Sequence, residues 1–270
     1  MNAVERMQGP PKAPFAWRRL SDLVQFGLFA GLIVWATVHG AGRMGYNWQW
    51  YRVPRYFFRE IDGDIYLGPL AKGLIVTLEI SALALVLTVL FGLFAAILRQ
   101  SGSLVGGALV RVYIEAIRNT PLLVQLYLFY FVLSPILGID RYWTGVLCLA
   151  VFEGAFAAEI FRAGIEAVPK GQWEAGRSLG LTAGHLYRLV VLPQALRLVL
   201  PPLTGLSVSL VKHSAIVSVI AVFDLTNEGR NVIADTFLTF EIWLAVAAVY
   251  LAATGTMSAA VGLLERRLKT

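Results

Sequence analysis

Six long apolar stretches divide the chain, and a helix needs about 20 apolar residues to cross the hydrocarbon core of a bilayer. Four stretches carry no formal charge, whereas one has Glu153 and another has Lys212 near its middle. The stretches cover residues 23–42, 80–98, 119–139, 142–161, 198–223 and 242–264. The pattern predicts an all-α integral membrane protein with six transmembrane helices.

Composition supports this fold class. Hydrophobic residues make up 57% of the 270 residues and charged residues 15%, whereas soluble domains carry about 25% charged residues. The deficit of charge excludes an ordinary soluble enzyme and a disordered protein. The net charge of +6 indicates basic cytoplasmic loops rather than a nucleic-acid partner, because such loops face anionic lipid.

Basic residues also set the orientation. Fourteen lysines and arginines lie in the two termini and the loops on the same side, against six in the alternate loops. By the positive-inside rule, both termini are cytoplasmic. We expect a cytoplasmic N-terminus (1–20), a first transmembrane helix (21–42), an external loop (43–67), a core (68–265) and a cytoplasmic C-terminus (266–270). The aromatic residues of the external loop suit a membrane-interface belt: Trp48, Trp50, Tyr51, Tyr56, Phe57 and Phe58.

Motifs for metal, disulfide or nucleotide chemistry are missing from the sequence. Cys148 is the single cysteine and sits in an apolar run, as a small filler would. His39, His185 and His213 lie far apart without metal-ligand spacing. No phosphate-binding loop of the form G-x-x-x-x-G-K-[ST] occurs. We therefore expect no metal or cofactor in this chain, and no catalysis by it.

The cytoplasmic segment from Arg162 to Arg197 is far longer than an ordinary connection between helices. It predicts two short helices across the membrane surface. Gly171 would cap the first, with Glu174 in its first turn, and Gly180 would end it. The second has these expected features: Thr182 as cap, Leu186, Leu189 and Val190 on one face, Pro193 as an interruption, and Pro201-Pro202 opening the next span.

This segment resembles the EAA loop of ABC importer permeases. Glu174-Ala175-Gly176 is followed by three residues, Gly180, nine residues, Val190, one residue, and Leu192-Pro193. Gly176 and Val190 depart from the alanine and isoleucine of the pattern. A glycine at 176 should loosen the first short helix by up to about 1 kcal/mol.

Three further segments are similar to the polar amino-acid permeases, the branch that includes histidine, glutamine, glutamate/aspartate and arginine importers. They run over 118–126, 158–172 and 209–219. The resemblance covers roughly residues 66–265. It implies a type I importer core of five helices, here with one added N-terminal helix, and an EAA-type coupling loop at about 168–195.

The resemblance also implies partners. They are a second permease subunit (identical or paralogous), two cytosolic ATPase subunits that hold ATP and magnesium, and an external amino-acid-binding protein. The location would be the bacterial cytoplasmic (inner) membrane. The residues that would couple to the ATPase are Glu174, Ala175, Gly176, Gly180, Leu192 and Pro193.

Two charges lie at mid-membrane depth, where a charge costs about 2.5–3.5 kcal/mol and usually faces a cavity or the bundle interior. Glu153 is a candidate to bind a substrate ammonium, to pair with Lys212, or to bond a neighbour while protonated. Lys212 is a second pathway candidate. Glu159 is expected to be structural through Arg162.

A helical pattern at 110–118 predicts an interfacial helix before the third span. Thr120 should cap the third span, with Pro121 as its first residue. Gln125, one turn further, either lines the pathway or bonds a neighbouring helix. Thr120 and Gln125 complete the candidate pathway residues.

Two alternatives to an ABC amino-acid importer are a secondary transporter with Glu153 as its proton site and a membrane scaffold that transports nothing. The first would usually show internal repeats, and none is evident. Two charges within the spans argue against an inert scaffold.

Overall fold

The computed structural model describes residues 15–43 and 45–268. Residues 1–14 of the predicted cytoplasmic N-terminus, Met44 and residues 269–270 lie outside the described residues. The α-helices of the described chain are α1 (Phe15–Arg43), α2 (Pro69–Gln100), α3 (Leu104–Arg118), α4 (Leu122–Leu128), α5 (Ser134–Leu137), α6 (Arg141–Glu166), α7 (Lys170–Ser178), α8 (Ala183–Leu186), α9 (Leu192–Ser214), α10 (Leu225–Thr236) and α11 (Thr239–Leu268). Strands β1 (Phe58–Ile61) and β2 (Asp64–Leu67) form an antiparallel hairpin. Tighter or wider helical turns cover Trp50–Arg52, Pro54–Tyr56, Phe129–Leu133, Tyr187–Val191 and Ala215–Ile220.

The chain separates into two compact units, Met1–Trp48 and Gln49–Thr270. The first contains α1, whose described side chains, from Ser21 onward, are almost all exposed. At 1.5 Å per residue its 29 residues are long enough for a hydrocarbon core of roughly 30 Å. The apolar stretch predicted from the sequence as the first span is therefore a single helix.

The second unit holds the remaining spans. Within the described residues, five helices including α1 are long and apolar enough to cross a membrane, and a bent pair makes a sixth. The bent pair joins α3 to the segment Leu122–Leu137 at 110°. The all-α class is confirmed with five to six spans, and the sixth is reached when the bent pair is taken as one span.

Helix α2 lies against α6 through small residues. A Cβ added to Gly92 would lie 2.5 Å from the Cβ of Ala157 and 3.0 Å from its backbone carbon. Between α6 and α9, a Cβ on Gly164 would lie 2.2 Å from Cγ2 of Val199. Small residues let transmembrane backbones approach closely, which raises van der Waals contact where lipid supplies no hydrophobic drive.

Two predicted helix starts are wrong. Thr120 does not cap the third span: Pro121 holds the N-cap position, α4 begins at Leu122, and the Thr120 hydroxyl donates to the carbonyl of Ala116 in α3. Pro201-Pro202 do not open the fifth span but lie inside α9. The turns before them stay helical because Ala195 and Val199 are buried in the core.

Other elements fall where the sequence gave no signal. The predicted external loop contains the β1–β2 hairpin, and α10 occupies the connection before α11. Tyr56, expected in an interface belt, is 3% exposed and packs with Leu70 and Leu225. The reason is the close contact of its backbone with Gly68, where an added Cβ would lie 2.2 Å from the Tyr56 carbonyl oxygen.

Candidate functional site

The first candidate site is the short helix α7. It begins at Lys170 with Pro169 at the N-cap, so the expected cap at Gly171 and the first-turn position of Glu174 are wrong. The predicted end at Gly180 is confirmed, because this glycine has φ +71°. The Leu181 amide donates to the Gly176 carbonyl at 3.2 Å and the Gly180 amide to that of Arg177 at 2.9 Å. This pair of bonds is the Schellman arrangement that closes a helix at glycine.

Helix α7 is anchored on the chain that follows it. Gly176 is buried, and a Cβ there would lie 2.3 Å from Cδ1 of Leu186. The ring of Trp173 meets that of Tyr187 edge-on, with centroids 5.1 Å apart. From the sequence, Gly176 was expected only to loosen the helix. The structure adds a packing role, because the absence of a Cβ at this position makes room for Leu186.

The opposite side of α7 is open. Glu174, Ala175 and Arg177 are exposed, and Leu179 is 81% exposed. A short, anchored helix that presents charged and apolar side chains outward is suited to a protein partner.

The second predicted short helix is not separate. Helix α8 continues through the π-helical turn Tyr187–Val191 into α9, and Pro193 lies in the first turn of α9. A wide turn tolerates a proline that cannot donate to the preceding turn. Thr182 holds the N-cap position of α8 as predicted, but its hydroxyl bonds His185 Nδ1 at 2.8 Å instead of a backbone amide. Leu186 and Val190 pack in one cluster, whereas Leu189 is 60% exposed, so two of the three residues predicted to share a face do so.

The predicted coupling residues Leu192 and Pro193 are exposed at the start of α9. From this point α9 runs unbroken to Ser214. The anchored helix α7 is thus joined, through Leu186 and α9, to the middle of the bundle.

The second candidate site lies there. Glu153 on α6 is 3% exposed, and its Oε1 lies 2.5 Å from Nδ1 of His213 on α9. The side chain of His213 is 43% exposed, and its ring meets Phe152 edge-on at 5.9 Å. The partner of Glu153 is therefore His213, so of the three possibilities left open from the sequence the structure shows a bond to a neighbouring side chain and not the pair with Lys212.

Sequence reasoning set His213 aside because the three histidines lack metal-ligand spacing. The sequence did contain one indication of His213, because it directly follows Lys212 within a predicted span. A step of one residue turns a helix by about 100°, so Lys212 is exposed while His213 reaches the carboxylate.

Gln125 and Thr120 hold the bend between α3 and α4. The Gln125 side-chain amide donates to the carbonyls of Ile117 at 2.8 Å and Thr120 at 3.0 Å. Its Oε1 is buried without a hydrogen-bond partner. The sequence left two roles open for Gln125, lining the pathway or bonding a neighbouring helix. Its contacts support the second.

Towards the other end of α6, Glu159 pairs with Arg99 at 2.5 Å and with Arg162 at 2.8 Å. Arg162 also pairs with Glu166 at 2.5 Å. The expected structural role of Glu159 through Arg162 agrees with this chain of ion pairs. An adjoining cavity of about 610 Å³ is lined by residues that include Arg118, Phe156 and Pro202.

A bundle of long apolar helices with a buried polar pair and a short exposed helix is typical of a polytopic membrane permease. Residues 88–270 match the family described as binding-protein-dependent transport system inner membrane component. The chain belongs to this family.

Similar proteins agree. The chain is 39% identical over 203 residues to the glutamine transport system permease protein GlnP of Escherichia coli (strain K12), covering 74% of this chain and 93% of that protein. It is 30% identical over 242 residues to the glutamate/aspartate import permease protein GltJ of the same strain, covering 84% and 97%.

A solved structure described as an amino acid ABC transporter with histidines matches with 42% identity and a TM-score of 0.70, covering 74% of this chain and 94% of that chain. The core thus has the type I importer permease fold, and the chain is the permease component of an ABC amino-acid importer. As a permease subunit it is not itself an enzyme, and the secondary-transporter alternative loses its support.

Proposed function

We propose that this permease moves a polar amino acid into the cell by alternating access, driven by ATP hydrolysis on partner subunits. The observation that carries the proposal is the anchoring of α7. Its Gly176 packs on Leu186 while Glu174 and Ala175 stay exposed. A helix fixed to the bundle and open outward can pass a displacement of the ATPase on to the membrane helices.

Helix α9 is the route of that displacement. It begins at Leu192, next to the anchored segment, and contains His213 near its end. Its 23 residues span roughly 34 Å at 1.5 Å per residue. Movement of α7 would shift α9 against α6 and change the contact between His213 and Glu153.

We further propose that Glu153 and His213 lie on the substrate path. Glu153 offers a negative group for the ammonium that every amino acid carries, and His213 is the exposed member of the pair. Lys212 is exposed one residue away and remains a candidate for the same path. Thr120 and Gln125 would act indirectly, by fixing the α3–α4 bend. The relatives named for glutamine and for glutamate and aspartate favour a polar solute.

The assembly would contain a second permease subunit, two ATPase subunits with ATP and magnesium, and an external binding protein. The excess of basic residues in the loops on that side supports a cytoplasmic location for both termini and α7. Residues 43–67 would then face the binding protein on the outer side.

Site-directed cross-linking tests the docking. The chain has one cysteine, Cys148, which is buried, so a single new cysteine reports its own surroundings. Ala175→Cys should cross-link to an ATPase subunit, with a yield that changes when ATP is added. Ile65→Cys, at a residue 77% exposed on the hairpin, is the matched control and should not. Equal yields at the two positions would overturn the docking proposal.

A further inference from the structure

The cavity beside Glu159 contains an arginine that the charges around it do not neutralise. Glu159 is shared between Arg99 and Arg162, and Glu166 pairs with Arg162. Two carboxylates and two guanidinium groups therefore balance. In the described part of the chain, no carboxylate forms an ion pair with Arg118.

Arg118 instead lies over an aromatic ring. Its guanidinium carbon is 5.5 Å from the centroid of Phe156, a cation–π contact that holds the group without neutralising it. The side chain is exposed to the cavity, which measures about 610 Å³. That volume lies within the usual range for small-molecule sites, about 300–1,000 Å³.

Aromatic rings link this cavity to the Glu153–His213 pair. His213 meets Phe152 at 5.9 Å, Phe152 meets Phe156 at 5.3 Å, and Phe156 meets Arg118. Phe152 and Phe156 are one turn apart on the same side of α6. Along α6, the cavity with Arg118 therefore lies about one helical turn beyond the Glu153–His213 pair. It lies towards the end of α6 where Glu159 pairs with arginines.

Arg118 is the last residue of α3, next to the start of the third span, and its exposed guanidinium keeps its charge and faces the cavity. Its planar fork matches a carboxylate with two parallel hydrogen bonds, whereas it repels an ammonium. Glu159 and Glu166 pair with other arginines, and Glu115, one turn earlier on α3, forms no ion pair with Arg118 in the described chain, so its guanidinium can take an anion from elsewhere.

We propose that Arg118 binds the α-carboxylate of the transported amino acid after it passes the Glu153–His213 pair. This inference rests on the proposed function. A carboxylate of the second permease subunit would satisfy the same chemistry, and the experiment separates the two sources.

The test uses the permease–ATPase complex purified without binding protein. Thermal shifts are measured with each proteinogenic amino acid at millimolar concentration, beginning with L-glutamine, and with the α-amide of each one that binds. The amide keeps the ammonium and the side chain but lacks the carboxylate. Wild type should bind an amino acid about tenfold or more tightly than its amide. Arg118→Gln should bind both equally weakly, and Arg118→Lys should fall between.

Arg111→Gln is the matched control, because Arg111 is exposed on the same helix and does not line the cavity. It should behave as wild type. Size-exclusion chromatography of each variant complex confirms assembly. Uptake into vesicles with the binding protein should fall about tenfold or more in Arg118→Gln and stay unchanged in the control.

Three results would overturn the inference: wild type binds no amino acid, wild type binds the amide as well as the acid, or Arg118→Gln takes up the amino acid normally. If Arg118→Gln instead makes the two permease subunits dissociate, while the amino acid and its amide bind with equal affinity, then the carboxylate that Arg118 binds belongs to the second subunit. Absence of uptake by wild type for every amino acid contradicts the proposed function itself, whatever the binding data show.

Discussion

Gly176 and Leu186 are in such close contact that a Cβ on the glycine would lie 2.3 Å from the leucine Cδ1. Leu186 is 3% exposed and packs with Val168, Val191 and Ala195, which limits the room for another rotamer. The glycine in place of the alanine of the EAA pattern is thus matched to a large neighbour. Helix α7 is held by this contact as well as by the ring of Trp173.

A larger residue at 176 should therefore detach α7. Gly176→Val should weaken ATPase binding, because overpacking costs about 1–3 kcal/mol. Leu186→Ala alone should also weaken it, by leaving a cavity. The double variant should bind the ATPase better than Gly176→Val. The measurement is the ATPase dissociation constant for each detergent-purified permease, and simple addition of the two defects would disprove the contact's role.

The packing of α2 on α6 gives a prediction with an internal control. Gly92→Ala should lower the melting temperature of the permease, because the new Cβ meets Ala157, including its backbone, and the expected cost is about 1–3 kcal/mol. Gly107→Ala on α3 has nothing within 4 Å and should be neutral or stabilising by up to about 1 kcal/mol. Thermal unfolding in detergent compares them. Equal melting temperatures would mean that the α2–α6 contact is looser than described.

The Glu153–His213 bond predicts which substitutions are coupled. Leaving a buried carboxylate without its partner costs about 1–3 kcal/mol, so His213→Leu should destabilise the permease while Lys212→Gln should not. In double-mutant cycles with Glu153→Gln, the His213 variant should show coupling of at least about 0.5 kcal/mol, and the Lys212 variant should be additive. Coupling to Lys212 in place of His213 would instead support the Glu153–Lys212 pair, one of the possibilities left open from the sequence.

Asp224 predicts a pH dependence. It caps α10, accepting from the Asn227 amide at 2.9 Å. Burial raises its pKa from 3.8 to about 6, against hydrogen bonds from Asn227 and Thr226 that lower it. The folded state therefore holds this proton more tightly than the unfolded state, so stability from this group is full below about pH 4. It falls as the pH rises through about 6, by roughly 3 kcal/mol in all.

Asp224→Asn should remove that dependence, because asparagine caps a helix as well as aspartate does and carries no charge. Its melting temperature should exceed that of wild type at pH 7, and the two should converge near pH 4. Asp224→Ala, which loses the cap, should be less stable than Asp224→Asn at both pH values. If the melting temperature of wild type instead rose relative to that of Asp224→Asn between pH 4 and 6, the surroundings of Asp224 would stabilise its charged form, which would contradict the prediction.

The sequence predicted the spans well because long apolar runs such as 80–98 admit one structure in a membrane. Gly180 was predictable for a local reason, since it alone could adopt the positive φ that ends α7. Gly171 failed as a cap because α7 begins one residue earlier, after Pro169, whereas Thr182 does hold the N-cap position of α8 but without a side-chain bond to a backbone amide.

Contacts between distant residues were beyond sequence reasoning. Glu153 and His213 are 60 residues apart, and which residue of α9 meets Glu153 depends on the rotation and register of two packed helices. Arg118 ended a charge-free stretch and gave no sign that Phe156 lies beneath it. The hairpin was missed because its strands are short and exposed on both faces.

The coupling role of α7 is the central claim, and it is tested most directly by Glu174→Arg in the complex reconstituted with its ATPase and binding protein. The ratio of amino acid imported to ATP hydrolysed should fall sharply, while the permease keeps its melting temperature, because Glu174 is exposed. Glu115→Arg, the same change at an exposed residue of α3, should leave the ratio unchanged. Normal import with normal ligand-stimulated hydrolysis in the Glu174 variant would contradict the account.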